Sequence, residues 1–498
     1  MRKCLVIGLD GATWDVLNPL IKSGHIPTLK KLMRKGVWGV LESTIPPYTG
    51  VAWTSFTTGC NAGKHGVFDF IKFDGKSHKM TVIKSDDVKA KTYFKYLEDK
   101  GYRNIIINLP GGFPPTDFSG IFVADFLAPD EKDIVRPKKL KLKYKEFKDY
   151  RIALKSHMFD HSRYLDEVLG IEEKRFLLAK KLFLKEKWDH FFLLFSGTDW
   201  ASHSALGHFF SKKGSIRDKF IKLFVKIDSY IKWFSENMDE DTDLIIISDH
   251  GQTQKRKIFF MNEWLRRHNY AASKPQERDP FLKRESERSE LKEKGLGRVI
   301  TRLSRLLMTT PARTPLAFIH RVLREKAGIS LVLKSYSLDK EHSSAFCPAF
   351  STFGVYMNSK ERFWPGKLTK KETGDMRDRI IKELSALRDP KDNSRIFKNV
   401  WKREDVYSGP FVKDAPDILF LPENGIEIHT DTNVPSIISK DTHYSGCHTM
   451  DGIFMAYGPD FRGGKRLTRL RILDIAPTIL RIFNITAPRY MDGKAIKG

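Results

Sequence analysis

Three short apolar runs along the chain each lead into an acidic residue. They read "KCLVIGL" before Asp10, "HFFLLFSGT" before Asp199 and "DLIIIS" before Asp249. Runs of this length, rich in branched and aromatic residues and ended by polar turns, predict β-strands. Because apolar and polar residues do not alternate in them, we expect strands that are buried on both faces, as in parallel sheets.

Helical periodicity appears between these strands. In residues 218–238 the apolar side chains recur at the spacing of one helix face, namely Phe220, Ile221, Phe224, Ile227, Tyr230, Ile231 and Phe234. Near the C-terminus, "LDIAPTILRIFNI" predicts a helix with Pro477 in its first turn. Strands alternating with helices predict an α/β fold with a mostly parallel central sheet flanked by helices. Ligands of such sheets bind at the carboxyl ends of the strands, where the three aspartates fall.

The middle of the chain has a different character. Residues 270–345 are basic, with apolar residues at helical intervals, and residues 346–429 read as strand, helix and strand in a small α+β region. An apolar, strand-like run of the kind seen in the first 265 residues occurs again at "GIFMAYGP". We therefore predict a catalytic core of residues 1–265 and 430–498, interrupted by an inserted cap of residues 266–429.

Composition and charge narrow the class of protein. The 498 residues are 41% hydrophobic and 30% charged, which excludes a disordered chain. Lys and Arg number 87 against 61 Asp and Glu, and this excess favours anionic partners, although a lysine-rich surface alone would also produce it. The four cysteines are far apart and form no CxxC pair, so we expect reduced thiols. No apolar run reaches the roughly 20 residues of a membrane span, and a cytoplasmic location is predicted.

Carboxylates and imidazoles of the type that bind metals lie near the predicted strand ends. The candidates are Asp10, Asp199, His203, Asp249, His250 and His448. Taken singly, each has an ordinary interpretation as a turn residue, a helix cap or a hydrogen-bonded histidine. Together they favour divalent cations, because several aspartates at one sheet edge repel one another without a counter-charge.

Thr49 is the candidate nucleophile. It follows "STIPPY" and precedes "GVAWTSFTTG", which can begin a helix whose free N–H groups face a phosphate. A hydroxyl must be activated by a base or a metal, and no Ser-His pair or GxSxG turn is visible nearby. An ordinary N-cap threonine would fit the same geometry, so that alternative stays open at this point.

The motifs taken together resemble the alkaline phosphatase superfamily and, within it, the type I phosphodiesterase/nucleotide pyrophosphatase group, including its predicted bacterial and archaeal phosphohydrolases and phosphomutases. They are "GLDGATWD", "PPYTGVAWTSFTTGCNAGKHG", "GTDWASH", "IIISDHG", "NEWL", "SGCHTMDGIFMAYGP" and "DIAPTIL". The resemblance implies an alkaline-phosphatase-like fold and a covalent phospho-threonine at Thr49.

The same resemblance implies two divalent ions, with Zn favoured and Mn as the alternative. Asp10, Thr49, Asp249 and His250 would hold one ion, and Asp199, His203 and His448 the other. One departure concerns Ala52, where nucleotide pyrophosphatases of the group carry an asparagine that binds the phosphoryl oxygens. This departure argues against nucleotide pyrophosphatase activity.

These features predict a metal-dependent phosphohydrolase, with a phosphodiesterase favoured. A phosphomutase on the same scaffold, and a non-catalytic protein that binds anionic lipid or nucleic acid, are the alternatives. The expected substrate is a small phosphate ester or a lipid headgroup. Residues 298–307 read as a basic amphipathic helix, for which packing on its own domain with the arginines outward is favoured and contact with an anionic membrane is the alternative. The ligand set argues against nucleic acid as the partner.

Overall fold

The computed structural model of the chain describes residues 2–76, 80–115, 118–128, 134–211, 214–275, 336–441 and 443–498. The strands in these residues are, in chain order, β1 (Lys3–Leu9), β2 (Val37–Glu42), β3 (Ile71–Phe73), β4 (Met80–Val82), β5 (Asn104–Ile107), β6 (Ile121–Val123), β7 (Val135–Arg136), β8 (His190–Phe195), β9 (Thr242–Ile247), β10 (Gly251–Gln254), β11 (Lys257–Phe260), β12 (Ala272–Pro275), β13 (Tyr336–Asp339), β14 (Ala345–Phe346), β15 (Gly354–Met357), β16 (Phe397–Lys402), β17 (Ile418–Pro422), β18 (Ile426–His429), β19 (Ile438–Lys440), β20 (Gly446–Thr449), β21 (Asp451–Tyr457) and β22 (Lys465–Arg471).

The α-helices of the same residues are α1 (Trp14–Lys22), α2 (Pro27–Lys35), α3 (Thr49–Thr58), α4 (Ala62–His65), α5 (Tyr93–Asp99), α6 (Leu140–Lys143), α7 (His161–Lys185), α8 (Gly197–Ser211), α9 (Ser215–Asn237), α10 (Met261–Arg267), α11 (Lys370–Ala386), α12 (Arg403–Val406) and α13 (Ile475–Ile482). The helix predicted from the spacing of residues 218–238 is α9. Pro477 is the third residue of α13, as its sequence predicted.

A nine-stranded sheet forms the centre of the fold, in the order β22-β2-β21-β9-β1-β8-β5-β6-β7. Strand β1 pairs in parallel with both β8 and β9, so Gly8 lies opposite Leu194 on one side and Ile247 on the other. β21 runs antiparallel to both β9 and β2, and β7 is antiparallel to β6. The predicted mostly parallel α/β sheet is therefore confirmed.

Helices cover this sheet because its central strands have no polar face. From Cys4 onward every residue of β1 is buried, as are all residues of β8 and β9. One group of helices, α2, α7, α8 and α9, packs together, and a second group of α3, α5 and α13 packs together around the same apolar core. Burial of apolar side chains on this scale supplies the main driving force for folding.

The region predicted as a cap contains a four-stranded sheet, β14-β15-β17-β16, with α11 packed on β16. A separate three-stranded sheet, β18-β11-β19, joins strands from both sides of the predicted boundary. Residues 276–335, including the predicted basic helix at 298–307, lie outside the described residues.

The helical prediction for residues 270–345 is wrong at its two described ends. There, β12 and β13 pair antiparallel, with Ala272 opposite Asp339. The partners are more than 60 residues apart in sequence, so a local helical periodicity could not indicate this pairing. Among the helices described, none is both long and apolar enough to cross a membrane.

Candidate metal centre

Three neighbouring strands bring the aspartates together at one sheet edge. Asp10 follows β1, Asp249 lies two residues after β9, and Asp199 is the third residue of α8, which begins just after β8. The Asp10 N–H donates to Phe195 O at 3.0 Å, and the Gly11 N–H donates to Asp249 Oδ1 at 3.1 Å. These backbone contacts fix Asp10 and Asp249 at the carboxyl ends of parallel strands, where ligands of such sheets bind.

Two of the three imidazoles lie on α8 and on β20. His203 lies one turn after Asp199 on α8, so both side chains point to the same side of the helix. His448 lies on β20, which pairs antiparallel with β10 and sets His448 opposite Gln252. His203 Nε2 is 2.8 Å from His448 Nε2. The structure thus gathers all six predicted Asp and His ligands in one place.

The first cluster consists of Asp10, Asp249 and His250, each offering one ligand atom within 4.8 Å of the others. His250 Nε2 lies 3.3 Å from Asp249 Oδ2 and 3.8 Å from Asp10 Oδ1. Both of these carboxylate oxygens are buried and have no hydrogen-bond partner among the described residues. Buried acceptors without a donor are costly, and a cation would satisfy both.

The second cluster consists of Asp199, His250 and His448, with ligand atoms again within 4.8 Å of one another. His203 adjoins it, because its Nε2 is 3.4 Å from Asp199 Oδ1. His250 belongs to both clusters, and its ring stacks on that of His448 at 3.7 Å between centroids. The sequence-based division, with His250 at one ion and His203 at the other, remains a prediction.

Hydrogen bonds set the tautomers of two imidazoles. His448 Nδ1 lies 2.9 Å from Pro47 O, and His250 Nδ1 lies 3.1 Å from Gly251 O. A carbonyl oxygen only accepts, so Nδ1 carries the proton in both rings and Nε2 presents a lone pair to the cluster. This arrangement is typical of metal-binding histidines.

The pKa values of the site reflect its burial. Burial and the carboxylates of Asp249 and Asp199 raise the pKa of Asp10 well above its usual range, and burial raises the pKa of Asp249 to about 7. Burial lowers the pKa of His250 far below its usual value, which keeps this ring neutral.

Asp199 and His203 form a contrasting pair. Burial alone would raise the pKa of Asp199, but the charge of His203 and the hydrogen bond from that ring lower it well below its usual range. Burial would lower the pKa of His203, yet the Asp199 carboxylate raises it. Without a cation, ionisation of Asp10 and Asp249 is therefore unfavourable, whereas Asp199 is stabilised as a carboxylate.

Thr49 adjoins these ligands as the first residue of α3. Its Oγ1 lies 3.3 Å from His250 Nε2, and the residue is only 4% exposed. The N-cap position belongs to Tyr48, which makes no side-chain capping bond, so Thr49 is not an ordinary N-cap. The first-turn N–H groups of α3 therefore lack a side-chain cap from Tyr48, and such groups are suited to anions.

Several contacts of the site were not predicted. The Trp53 Nε1–H donates to Asp10 Oδ2 at 3.3 Å, the Gln252 side chain donates to Asp199 Oδ1, and the Tyr48 ring packs on His448 at 4.4 Å between centroids. Helical periodicity could have indicated Trp53, because it lies one turn after Thr49 on α3. Gln252 lies two residues after His250, on β10, and its side chain faces Asp199.

The donor set fits divalent cations. It combines buried carboxylate oxygens, neutral imidazole nitrogens and a hydroxyl, a mixture that suits Zn²⁺, Mn²⁺ or Fe²⁺. A buried set of this kind at the carboxyl edge of an α/β sheet is typical of metal-dependent enzymes. The family described as Type I phosphodiesterase / nucleotide pyrophosphatase matches residues 4–451, so the chain belongs to this family. The resemblance inferred from the motifs is confirmed.

Solved structures share the fold at low sequence identity. Murine ectonucleotide pyrophosphatase/phosphodiesterase 5 is 14% identical, with a TM-score of 0.55, over 100% of this chain and 98% of its own. Phosphonoacetate hydrolase from Sinorhizobium meliloti 1021, in complex with phosphonoformate, is 14% identical with a TM-score of 0.57, over 98% and 96%. No curated protein matches the chain.

The buried carboxylates predict how the metal-free protein responds to pH. The folded-state pKa of Asp249 is about 7, against about 3.9 unfolded, so the folded state binds more protons between these values. Stability without metal should therefore fall as pH rises from about 4 to 7, by an order of 2–4 kcal/mol. Melting temperatures in EDTA at pH 5 to 8 test this, because metal-free Asp249→Asn should show a smaller fall, due to Asp10 alone, and exceed the wild type at pH 8. Parallel profiles for the two proteins would contradict the prediction.

Proposed function

We propose that this protein hydrolyses phosphate diesters through a phosphoryl group carried on Thr49. The observation that carries the proposal is the position of the Thr49 hydroxyl, 3.3 Å from His250 Nε2, the imidazole shared by both ligand clusters. A buried hydroxyl at that position is suited to covalent catalysis.

The ligand set divides between two ions. Asp10, Thr49, Asp249 and His250 would hold one, and Asp199, His203 and His448 the other. Divalent ions bound there lower the pKa of a coordinated hydroxyl or water and offset charge on the phosphate. Zinc is our first choice and manganese our second, because mixed carboxylate and imidazole sites accept both.

The chain's own residues then have distinct tasks. The Thr49 hydroxyl loses its proton to water, and its oxygen forms a bond to phosphorus while the bond from phosphorus to the leaving alcohol's oxygen breaks. The leaving oxygen takes up a proton, and a water molecule later cleaves the phospho-threonine and restores the Thr49 hydroxyl. N–H groups at the start of α3 contact the phosphoryl oxygens. The Trp53 indole holds Asp10, and Pro47 O holds the ring of His448.

Two relatives support the assignment by what their structures contain. An inactive threonine-to-alanine variant of murine ectonucleotide pyrophosphatase/phosphodiesterase 5 was solved in complex with AMP. Phosphonoacetate hydrolase was solved in complex with phosphonoacetate.

In the present chain, Ala52 is fully buried and offers no polar side chain to a phosphoryl oxygen. We therefore favour phosphodiester rather than nucleotide pyrophosphate substrates.

We further propose that residues 266–429 shape the leaving-group side of the site. Tyr48, adjacent to Thr49, lies 6.2 Å from the ring of Phe350 and 5.3 Å from that of Phe353. The Phe350 side chain is exposed, and its loop is tied down because Ser351 and Thr352 both donate to Asp69 at 2.6 Å. Small phosphate esters and lipid headgroups are the substrate classes to screen.

The function is tested with bis-p-nitrophenyl phosphate and p-nitrophenyl phosphate, assayed with added Zn²⁺ or Mn²⁺. We expect the diester to be the better substrate and metal-stripped protein to lose about 100-fold or more in activity, since such ions stabilise the transition state by several kcal/mol. Equal activity after chelation would contradict the proposal. In H₂¹⁸O, the released monoester should contain one ¹⁸O atom, whereas a phosphomutase would incorporate none.

A further inference from the structure

A buried ion pair on α7 lies directly against the first turn of α8. The side chains of Glu172 and Arg175 are both fully buried, and Arg175 Nη1 donates to Glu172 Oε1. Removing two charges from water costs several kcal/mol for each ion, and apolar residues of similar volume often stabilise a fold equally well. Stability alone is therefore a weak explanation for this pair.

Glu172 binds the opening residue of α8. The Gly197 N–H donates to Glu172 Oε1 at 2.6 Å. Gly197 also leaves room for the carboxylate, because a Cβ there would lie 2.7 Å from Glu172 Cγ and 2.9 Å from Oε1. Asp199 follows two residues later, and His203 lies one helical turn after Asp199. The contact between Glu172 and Gly197 therefore fixes the start of the helix that carries both ligands.

Arg175 contacts α8 on the other side of Asp199. Its guanidinium lies 5.7 Å from the centroid of the Trp200 ring, and Trp200 directly follows Asp199. Glu172 and Arg175 thus contact Gly197 and Trp200, which lie on either side of the candidate ligand Asp199 along α8.

We propose that Glu172 and Arg175 are positioning residues for the half of the metal centre formed by Asp199, His203 and His448. They fix the start of α8 so that Asp199 and His203 meet His448 in a geometry ready for a divalent cation. Groups that hydrogen-bond directly to a metal ligand typically change metal affinity 10- to 100-fold, and Glu172 and Arg175 act through residues close to the ligand, so we expect an effect at the lower end of that range. The inference rests on the proposed two-ion function. The ion concerned is the one that Asp199, His203 and His448 would hold.

The test measures zinc binding by competition with a chromophoric chelator. In Glu172→Met/Arg175→Met, apolar side chains of similar length replace both charges. We expect the affinity for one of two zinc ions to fall about 10-fold or more, with the other unchanged and no loss of melting temperature. Glu172→Gln/Arg175→Met, which keeps an oxygen acceptor for the Gly197 N–H, should recover most of that affinity.

A second variant keeps the test decisive if the double-methionine protein does not fold. Gly197→Ala retains both charges but pushes a methyl group against Glu172, and it should weaken the same ion. Asp228→Asn is the matched control, because the buried Asp228 carboxylate accepts from Thr28 N–H and Leu29 N–H at the start of α2. It should lower stability but leave zinc binding unchanged.

The outcomes separate this inference from the proposed function. Wild-type protein that fails to bind two divalent ions, with either zinc or manganese as the probe, would overturn the proposed function. Wild-type protein that binds two, with charge-pair and Gly197 variants that bind both equally well, would overturn only the positioning role.

Discussion

Thr49→Ala is expected to lose about 1,000-fold or more of the phosphodiesterase activity. Removal of the nucleophile leaves only direct attack by water, and α3 offers no second hydroxyl at its start. The variant should fold normally, because a buried threonine becomes a smaller residue of higher helix propensity. Steady-state rates with bis-p-nitrophenyl phosphate measure the loss.

Two variants control for this result. Thr49→Ser keeps a hydroxyl and should retain part of the activity. Thr54→Ala removes another buried hydroxyl of the same helix, one that donates to Gly50 O at 2.6 Å, and should leave the rate close to that of the wild type. If Thr49→Ala kept most of the activity, Thr49 would not be the nucleophile.

His250→Ala is expected to have the second largest effect. His250 contributes to both ligand clusters and its Nε2 lies 3.3 Å from the Thr49 hydroxyl, so its loss should weaken both ions and misplace the nucleophile. We expect a fall of about 100-fold or more in activity, together with a zinc content well below that of the wild type. Zinc analysis after gel filtration, alongside the rate, separates metal loss from a purely chemical effect.

His65→Ala is the matched control for His250. His65 is also fully buried, its Nε2 lies 2.9 Å from Ser55 Oγ, and burial lowers its pKa to about 3. It belongs to neither ligand cluster. Its loss should cost stability while zinc content stays unchanged. Equal zinc loss in both variants would show that unfolding, rather than a missing ligand, explains the result for His250.

Local sequence patterns predicted the main architecture. Unbroken apolar runs before Asp10, Asp199 and Asp249 indicated β1, β8 and β9, because short runs rich in branched and aromatic residues are typical of strands buried on both faces. The rule that parallel strands present ligands at their carboxyl ends then brought the three aspartates together. The four-residue spacing of Asp199 and His203 predicted, from helix geometry alone, that both side chains lie on one face of α8.

Non-local pairing limited what the sequence could predict. His448 reaches the centre because β20 pairs with β10, nearly 200 residues earlier in the chain, and its residue type made it a candidate ligand without indicating this pairing. The pairing of β12 with β13 and the contact of Glu172 with Gly197 depend in the same way on tertiary structure. No periodicity within one segment encodes such contacts.

Anomalous diffraction from crystals grown with zinc would locate both ions. Two peaks are expected beside Thr49, one contacting Asp10, Asp249 and His250 and the other contacting Asp199, His203 and His448. Crystals with zinc bound only elsewhere, or with the Thr49 hydroxyl directed away from both ions, would contradict the proposed two-ion site.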